Sequence, residues 1–331
     1  MARAKRHPAA EWPTIGLAVV IHGAWLAITF FWQSIPVPIL ALAGGWLVAW
    51  HGSLQHEVLH GHPTRSRRLN DLVGSVPLGL WLPYPIYRAS HLRHHNDEAL
   101  TDPIDDPESA YLTAEAWGRL GAVGRCLADF NNTLAGRLTL GPLVMISGFL
   151  WQEASRLLHG DTSHLRVWLL HLAAVGLLLS WVVIVCGMPA SLYLVAFVYA
   201  GAAFTRLRSF AEHRSADERD ERTAIVEQAG VFGLLFLNNN LHVLHHKRPR
   251  LPWYRLPATY REEREALIRT NGGLVYAGYG DVARRFLFRR HDTPLHPTQQ
   301  ALYPGRSAEA EPSVRLPDGI SALCFVRARL A

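Results

Sequence analysis

The chain has 331 residues, a net charge of +6 and 49% hydrophobic composition, an average that looks soluble but hides an uneven distribution. Its three cysteines, Cys126, Cys186 and Cys324, stand apart without CxxC spacing, which argues against a disulfide framework and against a built-in iron–sulfur or rubredoxin-type module. The arginines fall beside apolar runs rather than in a basic stripe with stacking aromatics, so the charge points to membrane headgroups and an acidic protein partner, not to nucleic acid. The basic start, Met1 to His7, leads into an apolar run that is too long for the core of a secretory signal and lacks a clear cleavage site, and it reads as the cytosolic flank of a first span.

That first run, residues 13–32, is long enough at about 1.5 Å per residue to cross a bilayer core of about 30 Å. His22 within it has no partner in sequence and reads as a packing or pore-lining residue. After an uncharged linker, a second run covers residues 37–51 and contains Gly44 and Gly45, where another helix can approach closely. Its helix is expected to continue beyond the membrane into a first histidine cluster, His56-Glu57-Val58-Leu59-His60. At about 1.5 Å rise per residue, the extension places His56 and His60 some 10–15 Å below the last apolar turn. Gly61 and Pro63 suggest that the helix ends there, and His62 points away from the pair if helical geometry persists.

Residues 72–87 are apolar again, but Pro77, Pro83 and Pro85 interrupt them, which fits an interfacial or re-entrant segment roofing a site. A second cluster follows, His91-Leu92-Arg93-His94-His95. In residues 102–108, Asp106-Pro107-Glu108 has the form of a helix start, with an N-cap acceptor, Pro at N1 and an acid in the first turn. Residues 109–138 read as mixed amphipathic helix. The run 140–151 is about a dozen apolar residues, short for a span and interfacial by length. Two further spans, 167–185 and 190–205, are joined by an uncharged turn. Lys and Arg are absent from both inter-span turns and abundant in the other connections, so by charge asymmetry both termini and all the histidine clusters lie on the cytosolic side.

Beyond the last span, His213 stands at its cytosolic end, while Glu212 and the charged run 217–222 read as a solvated loop, part of which can receive an electron donor. The third cluster is His242-Val243-Leu244-His245-His246. Asn238, four residues before it, faces the same centre on a continuous helix, directly or through water; a helix cap or turn explains it equally well. The proline- and aromatic-rich stretch 249–257 suits packing under the cap, a conventional helix begins near Ala258, and residues 291–331 read as a loosely ordered tail.

Imidazoles at i and i+4 lie about 40° apart on a helix, and those at i and i+3 about 60° apart on the other side, so each cluster can aim its rings at one centre. Up to eight nitrogens then converge, more than the roughly four to six ligands of one ion, which implies two metal ions. The sequences HEVLH, HLRHH and HVLHH, in this order and spacing across residues 36–257, resemble the three histidine boxes of the membrane fatty acid desaturase and hydroxylase superfamily. The resemblance implies an all-α membrane protein with four transmembrane helices in two hairpins and a cytosolic helical cap, 52–166 and 206–290, holding a di-iron site within a desaturase-like domain of residues 1–290. It also implies a location in the inner (plasma) membrane with the active site cytosolic. In that superfamily a further ligand commonly comes from the position His213 occupies, which brings the implied set to His56, His60, His91, His94, His95, His213, His242, His245 and His246.

Imidazole suits iron, copper, zinc and nickel alike; the choice of two Fe2+ ions comes from the resemblance. So does the reaction, in which the diferrous pair activates O2 and hydrogen is removed from an unactivated C–H bond, giving a double bond or, with oxygen rebound, an alcohol. The two electrons per turnover then come from a separate carrier, ferredoxin, rubredoxin or cytochrome b5 with its reductase. Desaturation of an acyl chain or other lipid-like substrate is the first reading. The context of the first box and the insert 102–108 also resemble the bacterial subgroup that acts on small non-lipid metabolites, including the dihydrorhizobitoxine desaturase and a rhizopine-pathway oxygenase. A zinc-dependent membrane hydrolase or a metal transporter is the rival of another class. A transporter places its ligands within its spans, and a zinc hydrolase needs only three protein ligands, so neither accounts for the full set.

Overall fold

A computed structural model of the protein describes residues 10–95 and 97–300. The basic start and residues 301–331 of the tail lie outside the described residues. The fold is almost entirely helical. Helix α1 (Trp12–Phe30) and helix α2 (Val37–Leu59) form one hairpin, and prolines in their first turns supply the fixed φ that suits helix starts. The second hairpin is α8 (Leu165–Leu179), which runs on as a π-helix (Ser180–Val185), and α9 (Ala190–Tyr193), which passes through another π-helical stretch (Leu194–Tyr199) into α10 (Ala200–Glu212).

The two hairpins are joined by hydrogen bonds as well as by apolar packing. At their turns, the Trp32 indole donates to the carbonyl of Cys186 at 2.9 Å, so the two uncharged connections sit at the same end of the bundle. Deeper in, the Trp25 indole donates to the Tyr193 hydroxyl at 3.1 Å, which in turn donates to the Leu78 carbonyl at 2.9 Å. Ile21, Leu40, Leu78, Val182 and Phe197 fill the space around this chain with no exposed surface. The glycine pair behaves as its sequence suggested: a Cβ on Gly45 would stand 2.7 Å from the Ala200 Cβ, and one on Gly201 2.6 Å from Val48. The backbones of α2 and α10 approach too closely for any larger residue.

Between the hairpins lie α3 (Arg67–Gly74), α4 (Tyr84–His94), α5 (Ala114–Arg119), α6 (Ala122–Asn131) and α7 (Leu134–Leu158). The irregular stretch between α3 and α4 reaches in among the membrane helices, with Leu78 in their core and the Leu80 carbonyl 2.8 Å from His171 Nε2. Residues 109–138, read as mixed amphipathic helix, form α5, α6 and the first turn of α7, with Thr113 and Thr133 as the N-caps of α5 and α7. The run 140–151 is the middle of the 25-residue α7, which continues through Pro142 and is, among the described residues, one of five helices long and apolar enough to cross a membrane. Its length therefore does not separate it from the four expected spans. Its contacts bear on the question. The Ala135 amide donates to the Leu287 carbonyl at the end of the cap. At the other end Glu153 accepts from Trp168 and bonds His164, at the start of α8.

After α10 the chain forms a two-stranded parallel sheet, β1 (Ile225–Val226) with β2 (Val275–Tyr276), around which α11 (Val231–Leu235), α12 (His242–Lys247), α13 (Leu256–Thr270) and α14 (Tyr279–Phe286) pack. The stretch 249–257 docks on the first hairpin, where the Trp253 amide donates to Glu57 at 3.0 Å and its indole to Thr14 at 3.2 Å. Residues 291–300 at the start of the tail lie against the cap, with Leu295 and His296 buried and the Tyr111 hydroxyl donating to Asp292 at 2.5 Å.

Candidate metal centre

Four pieces of chain deliver the nine histidines. The last turn of α2 carries His56 and ends on His60; the last turn of α4 carries His91 and His94 and ends on His95; His213 follows α10 in extended conformation; α12 carries His242, His245 and His246. All nine come together, in two groups. His56, His60, His91, His95 and His245 form one, His94, His213, His242 and His246 the other, and within each the nearest nitrogens all lie within 4.8 Å of one another. The groups abut, with the rings of His95 and His246 stacked at 4.4 Å between centroids.

The partition differs from the expectation that each box serves one centre. The i, i+4 pairs, His56 with His60, His91 with His95 and His242 with His246, stay together, while the i+3 members, His94 and His245, cross to the opposite group. Helical geometry gives the reason: an i, i+4 pair diverges by about 40°, whereas the i+3 ring lies about 60–100° away from both.

What occupies the middle of each group follows from the other ring nitrogens. His94 Nδ1 faces an Asp106 oxygen at 2.8 Å, His91 Nδ1 a Glu108 oxygen at 2.9 Å and His213 Nδ1 the Arg222 carbonyl at 3.3 Å. His242 Nδ1 faces Asn239 Oδ1 at 3.1 Å, and the same amide donates its Nδ2 hydrogen to Glu212 at 2.8 Å, which fixes its orientation. All four partners are acceptors, so the protons sit on Nδ1 and the Nε2 atoms present lone pairs. Yet His213 Nε2 lies 2.9 Å from His242 Nε2 and 3.2 Å from His94 Nε2, and His242 Nε2 lies 3.2 Å from His246 Nε2. In the other group His95 Nε2 is 3.0 Å from both His91 and His245, and the buried Nε2 atoms of His56 and His60 have no hydrogen-bond partner. Where both atoms carry lone pairs, as His213 and His242 do, a contact this close is repulsive unless a cation lies between them. At a metal–nitrogen distance of about 2.1 Å, adjacent ligands of an octahedral ion stand about 3 Å apart, so the spacing fits a metal in each group.

Electrostatics favours the same occupancy. Burial, with His91 and His94 nearby, pushes His95 down to about 3, and burial with His94 does the same to His213. These rings are neutral at pH 7, the form that binds metal. His94 is the exception: burial works to lower it, but Glu108 and Asp106 outweigh burial and raise it to about 9. A proton there satisfies one contact in its group; a cation satisfies all of them. Burial works to raise the Glu108 carboxyl, but His91 and His94 hold it well below the ordinary carboxylate range.

Several expectations are corrected at this centre. No helix starts at Asp106-Pro107-Glu108; these residues lie in turns, and the two carboxylates orient His94 and His91, with Asp106 also accepting from the Thr101 amide. Glu212 is not in a solvated loop: it is 7% exposed, paired with Arg208 at 3.1 Å and bonded to Asn239. Asn238 does not share a helix with the third box, since Leu237 and Asn238 both have positive φ and α12 begins only at His242. The Asn238 amide donates to the Trp253 carbonyl, and its neighbour Asn239 is the residue that bonds a box histidine. His62 stays out of both groups, held by Glu11 at 2.9 Å beside Glu57, and His22 packs its ring on His51 at 5.3 Å.

A model of the family described as fatty acid desaturase matches residues 30–278, which include all nine histidines. No curated protein matches the chain.

Proposed function

The chain belongs to the fatty acid desaturase family, and from that premise we propose that it is an O2-dependent membrane desaturase whose nine histidines hold two Fe2+ ions, five around one and four around the other. The observation that carries this reading is the set of Nε2 atoms facing one another at 2.9–3.2 Å. When bound, the iron pair supplies the activation of O2 and the removal of hydrogen from a C–H bond. The protein residues do the rest. Asp106, Glu108 and Asn239 hold the Nδ1 protons and fix the rings of His94, His91 and His242, as partners of metal-binding histidines commonly do. Substrate access is provided by a cavity of about 1060 Å3 bounded by α2, α4, α7 and α10, into which Asp106 and Glu108 face from the histidine side.

Electrons come from a separate carrier such as ferredoxin, rubredoxin or cytochrome b5, and the substrate is an acyl chain or another apolar molecule with a C–H bond to be oxidised. In the membrane, the four-span arrangement is supported by the contacts of α7. Its start touches the cap and its end touches the start of α8, beside the roofing segment, so both ends lie on the histidine side and the helix lies along the membrane face. The test is metal analysis of the purified chain together with product analysis by mass spectrometry after expression with a ferredoxin system. About two irons per chain and a product lighter by two hydrogens support the reading; a single zinc supports a hydrolase instead.

A further inference from the structure

The wall of the cavity contains an arrangement that the metal centre does not use. Arg137 of α7 and Arg206 of α10 both line it, and their stems pass the same point of α7: a Cβ on Gly141 would stand 3.3 Å from Arg137 Cδ and 3.7 Å from Arg206 Cγ. Neither has a carboxylate within salt-bridge distance among the described residues. Arg137 is 3% exposed and spends two donors on the Asn131 carbonyl and the Asn132 amide oxygen, at 2.9 and 3.1 Å. Arg206 has only a 3.8 Å contact to the Met145 sulfur, and its Nε is buried with no partner.

Glu108 and Glu212 attract Arg206 from a distance, but Glu108 is bonded to His91 and Glu212 is held by Arg208 and Asn239. Three guanidinium groups therefore meet two carboxylates that already have partners. Like charges placed together without a counter-ion are unfavourable in a medium of low dielectric constant, and planar N–H forks match carboxylate and phosphate oxygens. The rest of the cavity wall is mixed, with Asp106, Glu108 and Glu153 among its polar residues and an apolar part that includes Val48, Trp81, Val144, Phe149 and Phe236.

We propose that Arg137 and Arg206 form an anion subsite that binds a free carboxylate or phosphate of the substrate while its apolar part lies along the apolar part of the wall. The substrate is then an anionic amphiphile, which rests on the desaturase reading for its reaction but not for its binding. The test uses the full-length, iron-loaded protein in detergent, with binding of palmitate, hexadecyl phosphate and norleucine compared with that of hexadecanol and norleucinol.

At least one anion should bind roughly tenfold or more tightly than its alcohol. Arg206→Gln should abolish that preference with iron content unchanged, and Arg206→Lys should retain most of it. The anion preferred identifies the source: palmitate a free acyl chain, hexadecyl phosphate a phospholipid-like headgroup, norleucine a small amino acid. Equal binding of anions and alcohols, no binding of any anion, or a preference that survives Arg206→Gln overturns the proposal. An iron-free protein that still prefers the anion would remove the desaturase reading and leave the subsite standing.

Discussion

At the scale of single residues, neighbours in the first box have opposite roles. His60 has a buried Nε2 with no partner and belongs to the five-histidine group, whereas His62, two positions on, is bonded to Glu11 and stands beside Glu57. His60→Ala should therefore lose iron and activity. His62→Ala should keep its iron but unfold more easily, since it removes the imidazole bonded to the buried Glu11 carboxylate, a loss that costs about 3–5 kcal/mol in comparable buried pairs. Iron content and melting temperature, measured on both variants, separate the two roles; equal iron loss would show that the box has a third ligand. The supporting carboxylates offer a second check. Asp106→Asn and Glu108→Gln remove the charge beside His94 and His91 without removing a ligand, and iron affinity under chelator competition should fall about 10–100-fold. The eight box histidines were legible because each box repeats a helical spacing, while His213, outside the boxes, came from the family resemblance alone. Asp106, Glu108 and Asn239 were not, because a hydrogen bond from an irregular loop to a ring elsewhere in the chain leaves no period in the sequence, and Asp106-Pro107-Glu108 carries the signature of a helix cap.

At the scale of helices, the relation between α2 and α10 determines whether the boxes meet, since α2 delivers His56 and His60 and α10 leads into His213. Their contact depends on Gly45 and Gly201, where any Cβ would stand 2.6–2.7 Å from a neighbouring atom. Gly45→Val should force the helices apart, destabilise the protein by about 1–3 kcal/mol as overpacking does, and reduce iron retention by displacing both ends of the site. Gly16→Ala on α1, where nothing lies within 4 Å, is the matched control and should change neither quantity. A Gly45→Val protein with unchanged melting temperature and iron would show that the two helices can shift without disturbing the centre. Gly44 and Gly45 were readable because close helix approach demands a missing side chain, whereas Gly201 on the facing helix was not singled out. The extent of α7 was not: its apolar middle is flanked by Gly136 and Arg137 at one end and by polar residues at the other, and tertiary contacts extend the helix through both.

At the scale of the whole molecule, the arrangement in the membrane depends on α7. If it lies along the cytosolic face, the chain crosses four times and both turns at residues 33–36 and 186–189 are external, in keeping with the bond between Trp32 and Cys186. If α7 crosses, the connection between α7 and α8 moves to the other side. That connection contains Asp161, Ser163 and His164, and its neighbours Glu153, Arg156 and Trp168 are mutually bonded. His171, less than two turns into α8, bonds the Leu80 carbonyl of the segment before α4. The proposed four-span arrangement keeps the connection on the histidine side. Ser163→Cys, in a chain whose native cysteines are replaced by Ser, should resist a membrane-impermeant maleimide in intact cells and react once the membrane is opened, while Met188→Cys should react in intact cells. Labelling of Ser163→Cys from outside would give five crossings and place the end of α7 away from the cavity.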